Sequence, residues 1–197
     1  MKKFIALLVA MIMVLSVIPS YAEGDVSFSL NFDNLTSTDN LFILGGGYAG
    51  KNVTLSTEYD HTTGSGKSLK LSERTKEYHR IKFTNAITSD MQGKEITASM
   101  WVYTLEDSRL MLGAFSDINT QYATNPIKSV KSDIKANTWT LLSLTFTPSN
   151  PIITQLGITQ DNCGGIVTST IYVDDVSVVL GKSAPTAPLN PTEPSNP

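Results

Sequence analysis

Residues 96–103 read Ile-Thr-Ala-Ser-Met-Trp-Val-Tyr, and this stretch decides the fold. Apolar side chains occupy every second position, which is the period of a β-strand with one face in a core. The other face ends in Trp101 and Tyr103, two residues apart, so their rings stand side by side on one sheet surface. We predict that they form an exposed platform for a flat ligand with one apolar side. The alternative is that both rings pack beneath a long loop.

The sequence between residues 23 and 182 repeats this pattern in short runs that alternate or are rich in β-branched residues. Gly, Asn, Asp, Ser and Pro separate the runs, and no stretch has the period of an amphipathic helix. The predicted strands are 26–32, 52–56, 68–71, 79–83, 95–103, 109–115, 138–146, 154–159 and 169–179. We therefore predict an all-β domain, a two-sheet antiparallel β-sandwich of the jelly-roll type.

The first 22 residues have the pattern of a cleaved signal peptide. Lys2 and Lys3 precede an apolar run that ends before Pro19, and small residues follow up to Ala22. A membrane anchor is the alternative, but a membrane-spanning helix needs about 20 apolar residues and this run is shorter. We expect cleavage after Ala22 and a protein that is secreted or held at the surface of a bacterial cell.

The other end of the chain, residues 183–197, has a proline at every third position from Pro185 to Pro197. Such a segment cannot pack a core and is typical of an extended, semi-rigid spacer. We predict a Pro/Thr-rich linker to a further module, with a disordered tail as the alternative. The chain then divides into a signal peptide (1–22), one β-sandwich domain (23–182) and a linker (183–197).

Charge and cysteine content exclude two classes of protein. Without Lys2 and Lys3 the chain keeps 13 of its 15 basic residues against 18 acidic ones, a formal charge of −5. This balance, with no basic cluster, argues against nucleic-acid binding. Cys163 is the single cysteine, so the domain has no internal disulfide. We expect Cys163 to be a lone thiol in a turn, and a nucleophile or an intermolecular bridge is the weaker interpretation.

A succession of short motifs resembles one known family. The motifs are Phe-Asp at 32–33, Gly-Lys-Ser-Leu-Lys-Leu-Ser-Glu-Arg-Thr at 66–75, Ala-Ser-Met-Trp-Val-Tyr at 98–103, Asn-Thr-Trp-Thr-Leu-Leu at 137–142 and Ile-Tyr-Val-Asp-Asp-Val-Ser-Val at 171–178. Their order resembles the β-jelly-roll carbohydrate-binding modules of secreted bacterial glycoside hydrolases, the xylan- and β-glucan-binding type. The chain departs from that pattern at Tyr78, where many members of the family have Trp.

The resemblance implies a concave sheet face that binds a plant-type polysaccharide without catalysis and targets an attached module to its substrate. It assigns ligand contacts to Arg74, Tyr78, Trp101 and Tyr103. The pattern of strand 154–159 adds Gln155, because Leu156 and Ile158 take the core face. Stacked rings would hold the apolar face of a pyranose, while Arg74 and Gln155 would bond its hydroxyls. Arg74 has an alternative role as a loop cap or as an ion-pair partner of a neighbouring Glu.

The resemblance also implies a structural calcium ion near the two chain ends. Its ligands would be Asp33, Lys67 through the backbone carbonyl, and Asp174 or Asp175. Hard oxygen donors from distant segments suit calcium, and an ion that joins both ends would stabilise a domain without disulfides. The alternative is that these acids are simply solvated.

Two other functions remain open at this stage. One is a sandwich-fold glycosidase or lyase, but the candidate acids form no strand-borne pair of the kind that glycosidases use; these acids are Glu73, Glu77, Glu95, Glu106 and Asp107. The other is a cell-surface adhesion or structural module that binds protein, which a flat face with buried Trp101 and Tyr103 would favour. For the binding-module hypothesis we expect a monomer, no enzymatic activity, and partners limited to polysaccharide and a covalently linked catalytic or anchoring module.

Overall fold

The computed structural model describes residues 26–48, 50–62, 64–116, 126–149, 153–161 and 169–181. The predicted signal peptide, Cys163 and the predicted linker lie outside these residues. None of the helical segments in this part of the chain has the length and apolar character needed to cross a bilayer.

Within those ranges the chain forms eleven strands and two short 3-10 turns, Gly50–Asn52 and Ser89–Met91. The strands are β1 (Val26–Leu30), β2 (Phe42–Gly45), β3 (Val53–Ser56), β4 (Ser68–Leu71), β5 (Arg80–Phe83), β6 (Ile96–Thr104), β7 (Ser108–Ser116), β8 (Lys128–Ile134), β9 (Thr140–Phe146), β10 (Ile153–Gln160) and β11 (Ile171–Leu180). Nine of them overlap the predicted strands. The other two, β2 and β8, have no counterpart in the sequence prediction.

The strands form two antiparallel sheets that face each other, so the predicted β-sandwich is confirmed. The first sheet has the order β3-β4-β11-β6-β9, with β1 also paired to β11. The second sheet has the order β2-β5-β10-β7-β8. The strand pairs recorded in both sheets are antiparallel.

The core lies between the inner faces of the sheets and follows the alternation of the sequence. On β6 the side chains of Ile96, Ala98, Met100 and Val102 are fully buried in this core. Leu156 and Ile158 of β10 meet them from the second sheet. Burying such a side chain stabilises the fold by about 1.5–3 kcal/mol. This alternation also decides which side chains point to the two outer faces.

A bulge in the middle of β11 interrupts the regular pairing of the first sheet. The register with β6 shifts between Asp174 and Ser177, and Asp175 has a left-handed backbone with φ of 44°. A bulge turns neighbouring side chains away from their regular alternation. As a result Asp174 is fully buried, whereas Asp175 is only partly buried.

Candidate functional site

The outer face of the first sheet carries a buried aromatic cluster rather than an open platform. Tyr103, Tyr172 and Trp139 pack together, with Tyr59 and Trp101 against them. The ring of Tyr59 stacks on Tyr103 with centroids 4.4 Å apart, and Tyr103 is only 1% exposed. The hydroxyl of Tyr103 donates to Oδ1 of Asn137 at 3.1 Å, which satisfies its polar atom.

Trp101 is partly covered by His61, whose ring lies parallel to the indole with centroids 4.0 Å apart. The segment that contains Tyr59 and His61 therefore lies over the aromatic pair. The predicted open platform is wrong, because Tyr103 is buried and Trp101 is only partly exposed, and packing beneath a loop was the stated alternative. The sequence could not reveal this, because period-two alternation places a ring on the outer face without telling what covers it.

The outer face of the second sheet carries two glycines instead of a row of aromatic rings. Its middle row crosses the strands through Ile43, Lys82, Gly157, Gly113 and Ser129. Two adjacent glycines leave a gap in this row, and the ring of Phe115 fills it: a Cβ on Gly157 would lie 2.7 Å from Cε2 of Phe115, and one on Gly113 would lie 3.0 Å from the same atom. We call this buried layer on the outer side of the sheet, formed by Arg80, Lys82, Gly157, Gly113 and Phe115, the trough.

Polar side chains lie in and beside the trough. The guanidinium carbon of Arg80 lies 5.5 Å and Nζ of Lys82 5.8 Å from the centre of the Phe115 ring, within the range of cation–π contacts. Burial lowers the pKa of Arg80. Gln155 pairs with Phe115 across the strands and is 5% exposed, and its side-chain carbonyl oxygen has no hydrogen-bond partner. The prediction that Gln155 turns away from the core is confirmed.

Tyr78 stands at the edge of this face, two residues before β5, and is 47% exposed. Gly46 packs closely against Tyr78. Gly46 has a φ of +74°, and a Cβ on Gly46 would lie 2.5 Å from the carbonyl oxygen of Tyr78 and 2.9 Å from Cδ2 of the Tyr78 ring. The next residue, His79, meets the Tyr78 ring edge-on at 5.8 Å and stacks on Tyr48 at 5.2 Å. Tyr78 is thus an open aromatic ring supported by packed neighbours.

Arg74 lies close to Tyr78 in the chain but is only 3% exposed. Its Nη2 donates to the carbonyl oxygen of Glu77 at 2.8 Å, and its Nη1 donates to Oε1 of Gln160 and the carbonyl oxygen of Ser169. Burial lowers its pKa to about 10, so the guanidinium is still charged at neutral pH. The alternative role as a loop cap describes this geometry, whereas the predicted pairing with a Glu carboxylate is absent from the ion pairs of the described residues.

The five predicted ligand-contact residues therefore do not share one face. Tyr78, Gln155 and the buried Arg74 belong to the side of the second sheet, and Trp101 and Tyr103 belong to the outer face of the first. Sequence reasoning missed the residues that build the trough: Arg80, Lys82, Gly113, Phe115 and Gly157. Each of these residues occupies an outward position in a predicted strand. The alternation does not tell which strands pair into one sheet, so the sequence did not show that these residues lie together.

Three carboxylates gather beside the bulge of β11. A Cβ placed on Gly66 would lie 1.8 Å from Oδ1 of Asp33 and 3.0 Å from Oδ1 of Asp60. Asp60 in turn shares a hydrogen bond with the fully buried Asp174. Desolvation raises the pKa of Asp174 to about 8, with the nearby Asp175 adding to the shift. Lys67 joins this cluster through its backbone amide, which donates to Asp33 at 2.9 Å. The sequence prediction had missed Asp60.

Asp175 takes a different role from Asp174. Its Oδ2 accepts from the Thr62 hydroxyl at 2.7 Å and lies 2.8 Å from Nδ1 of the buried His61. These hydrogen bonds lower the pKa of Asp175 against the opposing effect of burial. In the described part of the chain, no three or more His, Cys, Asp or Glu side chains form a ready-made metal site.

Comparison with known proteins identifies the fold. No family model matches the sequence, and no curated protein is similar to it in sequence. Among solved structures, the CBM22-1 xylan-binding domain of Paenibacillus barcinonensis Xyn10C superposes with a TM-score of 0.57 at 14% identity, covering 82% of this chain and 98% of that one. The C-terminal family 22 carbohydrate-binding module of Clostridium thermocellum Xyn10B gives 0.59 at 13% identity, covering 82% and 96%.

A third structure holds such a module joined to an enzyme. It contains the CBM22-1 and GH10 modules of Clostridium thermocellum xylanase 10B with xylohexaose, and it matches with a TM-score of 0.52 at 15% identity. The match covers 80% of this chain and 29% of that longer one. At these identities the likeness establishes the fold: this chain has the β-sandwich architecture of carbohydrate-binding modules.

Proposed function

We propose that the domain binds a plant-type polysaccharide, without catalysis, on the outer face of the second sheet. The observation that carries this proposal is the open ring of Tyr78 at the edge of the trough. The fold supports it, because two of the matching domains are described as a xylan-binding domain and a carbohydrate-binding module. Xylan and mixed-linkage β-glucan are the ligands to test first.

The chemistry of a sugar fits this surface. The C–H face of a pyranose stacks on an aromatic ring, and Tyr78 offers such a ring to solvent. Gln155 lies on the same face with a side-chain carbonyl oxygen that has no partner, but this atom is buried beneath the surface. Phe115, Arg80 and Lys82 are themselves buried, so their part is to form a rigid floor. A preformed sheet loses little conformational entropy on binding.

The acids on this face do not favour catalysis. A glycosidase needs a general acid whose pKa is raised in a desolvated site and a second carboxylate opposite it. Asp133 has a side chain that is 81% exposed, and its contact is with Nε of Arg109 at 3.8 Å. Asp161 binds Arg109 and Lys131 at 3.4 Å and 2.8 Å. Both carboxylates lie in ion pairs with Arg109 or Lys131 rather than in apolar surroundings, so the arrangement supports binding without chemistry.

The wider role that we propose is targeting. A signal peptide at residues 1–22 would export the chain, and the proline-rich segment 183–197 would connect the binding domain to a catalytic or anchoring module. One of the matching structures combines such a module with a GH10 catalytic module. A tether of this kind raises the effective concentration of the attached module on the polymer.

We also propose a structural calcium ion at the carboxylate cluster. Asp33, Asp60 and Asp174 supply hard oxygen donors, and two hydrogen-bonded buried carboxylates need a proton or a cation between them. Gly66 keeps this space free of a side chain. Asp175 fits less well, because His61 and Thr62 already occupy its Oδ2. When bound, the ion would neutralise the cluster and join the two ends of the domain.

Native affinity electrophoresis of the chain lacking residues 1–22 tests the proposed function. Gels contain xylan, mixed-linkage β-glucan, mannan or no polymer. We expect retardation in at least one polymer, and Tyr78→Ala should weaken it by about 5- to 150-fold, the loss of one stacking contact of about 1–3 kcal/mol. Leu105→Ala is the matched control, since Leu105 is 42% exposed and lies in the β6–β7 turn.

Three outcomes are informative. Retardation that Tyr78→Ala loses and Leu105→Ala keeps supports the proposal and names the ligand class. Equal retardation of wild type and Tyr78→Ala would show that the polysaccharide binds elsewhere on the domain. No retardation in any polymer removes the proposed function and favours a protein-binding module.

A further inference from the structure

The backbone just before Tyr78 is held from two sides. The carbonyl oxygen of Glu77 accepts hydrogen bonds from Nη2 of Arg74 at 2.8 Å and from Oγ1 of Thr159 at 2.9 Å. Thr159 lies on β10, in the middle of the second sheet, and is buried. The two donors therefore fix the residue that precedes Tyr78 to the rigid part of the fold.

Arg74 extends this attachment to two more segments. Its Nη1 donates to the side chain of Gln160 at 3.2 Å and to the carbonyl oxygen of Ser169 at 3.3 Å. One planar guanidinium thus joins the β4–β5 connection, the end of β10 and the segment before β11. A fork of fixed donors suits Arg and cannot be reproduced by the single ammonium of Lys.

The backbone after Tyr78 is fixed as well. The amide of His79 donates to the carbonyl oxygen of Lys76 at 3.1 Å, and its ring stacks on Tyr48 with planes at 26°. The Tyr48 hydroxyl donates to the carbonyl oxygen of Ser72 at 2.7 Å. Tyr78 is therefore an exposed ring between two immobilised neighbours.

From this geometry, and resting on the proposed function, we infer that Arg74 and Thr159 are positioning residues for the Tyr78 ring. They hold the Glu77 carbonyl between them and so fix the direction in which the ring faces the polysaccharide. Arg74, buried and with both of its Nη atoms donating to protein oxygens, does not touch the ligand. A ring whose backbone is already fixed loses less conformational entropy when a sugar stacks on it.

A double-mutant cycle distinguishes positioning from direct contact. The chain without residues 1–22 is prepared as wild type, as the single variants Thr159→Val, Arg74→Lys and Tyr78→Leu, and as the two double variants that add Tyr78→Leu. The dissociation constant of each protein is measured for the polymer that retards the wild type. Leucine keeps an apolar side chain but has no flat face to orient. We expect Thr159→Val to weaken binding on the order of threefold and Arg74→Lys about tenfold, as for one neutral and one charged hydrogen bond. In the Tyr78→Leu background both changes should have no measurable effect.

A second readout does not need the ligand. Amide hydrogen exchange at Tyr78 and His79 should become faster in Thr159→Val, while exchange in β9 stays as in wild type. Thr140→Val is the matched control, because it also removes a bond from a threonine hydroxyl to a carbonyl oxygen, that of Thr138, but in the first sheet. We expect it to change neither exchange at Tyr78 nor binding.

The outcomes separate the inference from the proposed function. Equal fold-changes in the wild-type and Tyr78→Leu backgrounds overturn the positioning role and leave polysaccharide binding in place. Unchanged exchange at Tyr78 and His79 in Thr159→Val overturns the role by itself. If the wild-type chain binds none of the polymers, both the proposed function and the positioning role fall.

Discussion

The imidazole of His61 lies on the indole of Trp101, with ring centroids 4.0 Å apart and planes inclined by 16°. His61 is held in place through Nδ1, which lies 2.8 Å from Oδ2 of Asp175. The contact ties the segment between β3 and β4 to the outer face of the first sheet. Trp101 thus contributes to a second, smaller core instead of a ligand platform.

The first prediction concerns Trp101→Ala. We expect the variant to lose about 2–4 kcal/mol of the free energy of unfolding, a little below the range of about 3–5 kcal/mol for a fully packed aromatic, because Trp101 is partly exposed. Polysaccharide binding should be unchanged, because the trough lies on the other sheet. Urea unfolding and affinity electrophoresis measure the two effects. Lost retardation with wild-type stability would restore Trp101 as a contact residue.

The second prediction concerns calcium. If an ion binds among Asp33, Asp60 and Asp174, a chelator should lower the melting temperature and added Ca²⁺ should restore it. At a hundredfold excess over the dissociation constant the stabilisation is about 2.7 kcal/mol. Asp174→Asn should abolish the response to Ca²⁺.

Asp133→Asn is the control for this experiment, because its side chain is 81% exposed and lies on the other sheet. It should respond to Ca²⁺ as the wild type does. A melting temperature that is the same with chelator and with Ca²⁺ in the wild type would contradict the metal site.

The third prediction concerns Gly66→Ala. The new Cβ would meet Oδ1 of Asp33 at 1.8 Å, so the carboxylate or the backbone has to move. We expect a loss of about 1–3 kcal/mol in the free energy of unfolding, typical of overpacking, together with a weaker response to Ca²⁺. Gly50→Ala is the matched control, since its Cβ would meet only Cδ1 of Leu44 at 3.3 Å. Equal stability of the two variants would show that the space at Gly66 is not restricted.

How far the sequence predicts this molecule depends on which physical term decides each feature. Period-two alternation in 96–103 and 169–179 predicted β6 and β11 because burial of one face is encoded locally. The strand β8 was missed, since Lys128 and Ser132 occupy two of its four core-side positions and β8 ends the strand order of the second sheet. Charged residues of this kind are typical of edge strands.

The candidate site depends even more on contacts between residues that are far apart in the sequence. Tyr78 and Gln155 were predicted from local pattern and resemblance, and both lie on the side of the second sheet. Trp101 was assigned to the wrong surroundings because the His61 ring that covers it comes from 40 residues earlier in the chain. Arg74 was expected to meet the ligand, and its burial depends on Gln160 and Ser169, which follow more than 80 residues later.

The last prediction concerns alkaline pH. Burial, with Tyr59 beside it, raises the pKa of Tyr103 from 10.0 to about 12. The unfolded chain therefore releases this proton at lower pH than the folded domain does, so stability is fully present below pH 10 and is lost as the pH rises towards 12. Burial also raises the pKa values of Tyr48 and Tyr172, which act in the same direction.

Urea unfolding midpoints between pH 9 and pH 12 measure this effect, with Tyr103→Phe alongside. The variant loses the hydrogen bond to Asn137 and should be less stable at pH 9. Because it has no proton to release at position 103, its stability should fall less steeply above pH 10 than that of the wild type. Parallel pH profiles for the two proteins would mean that Tyr103 ionises as readily in the folded domain as in the unfolded chain, and the aromatic cluster would then be open to water.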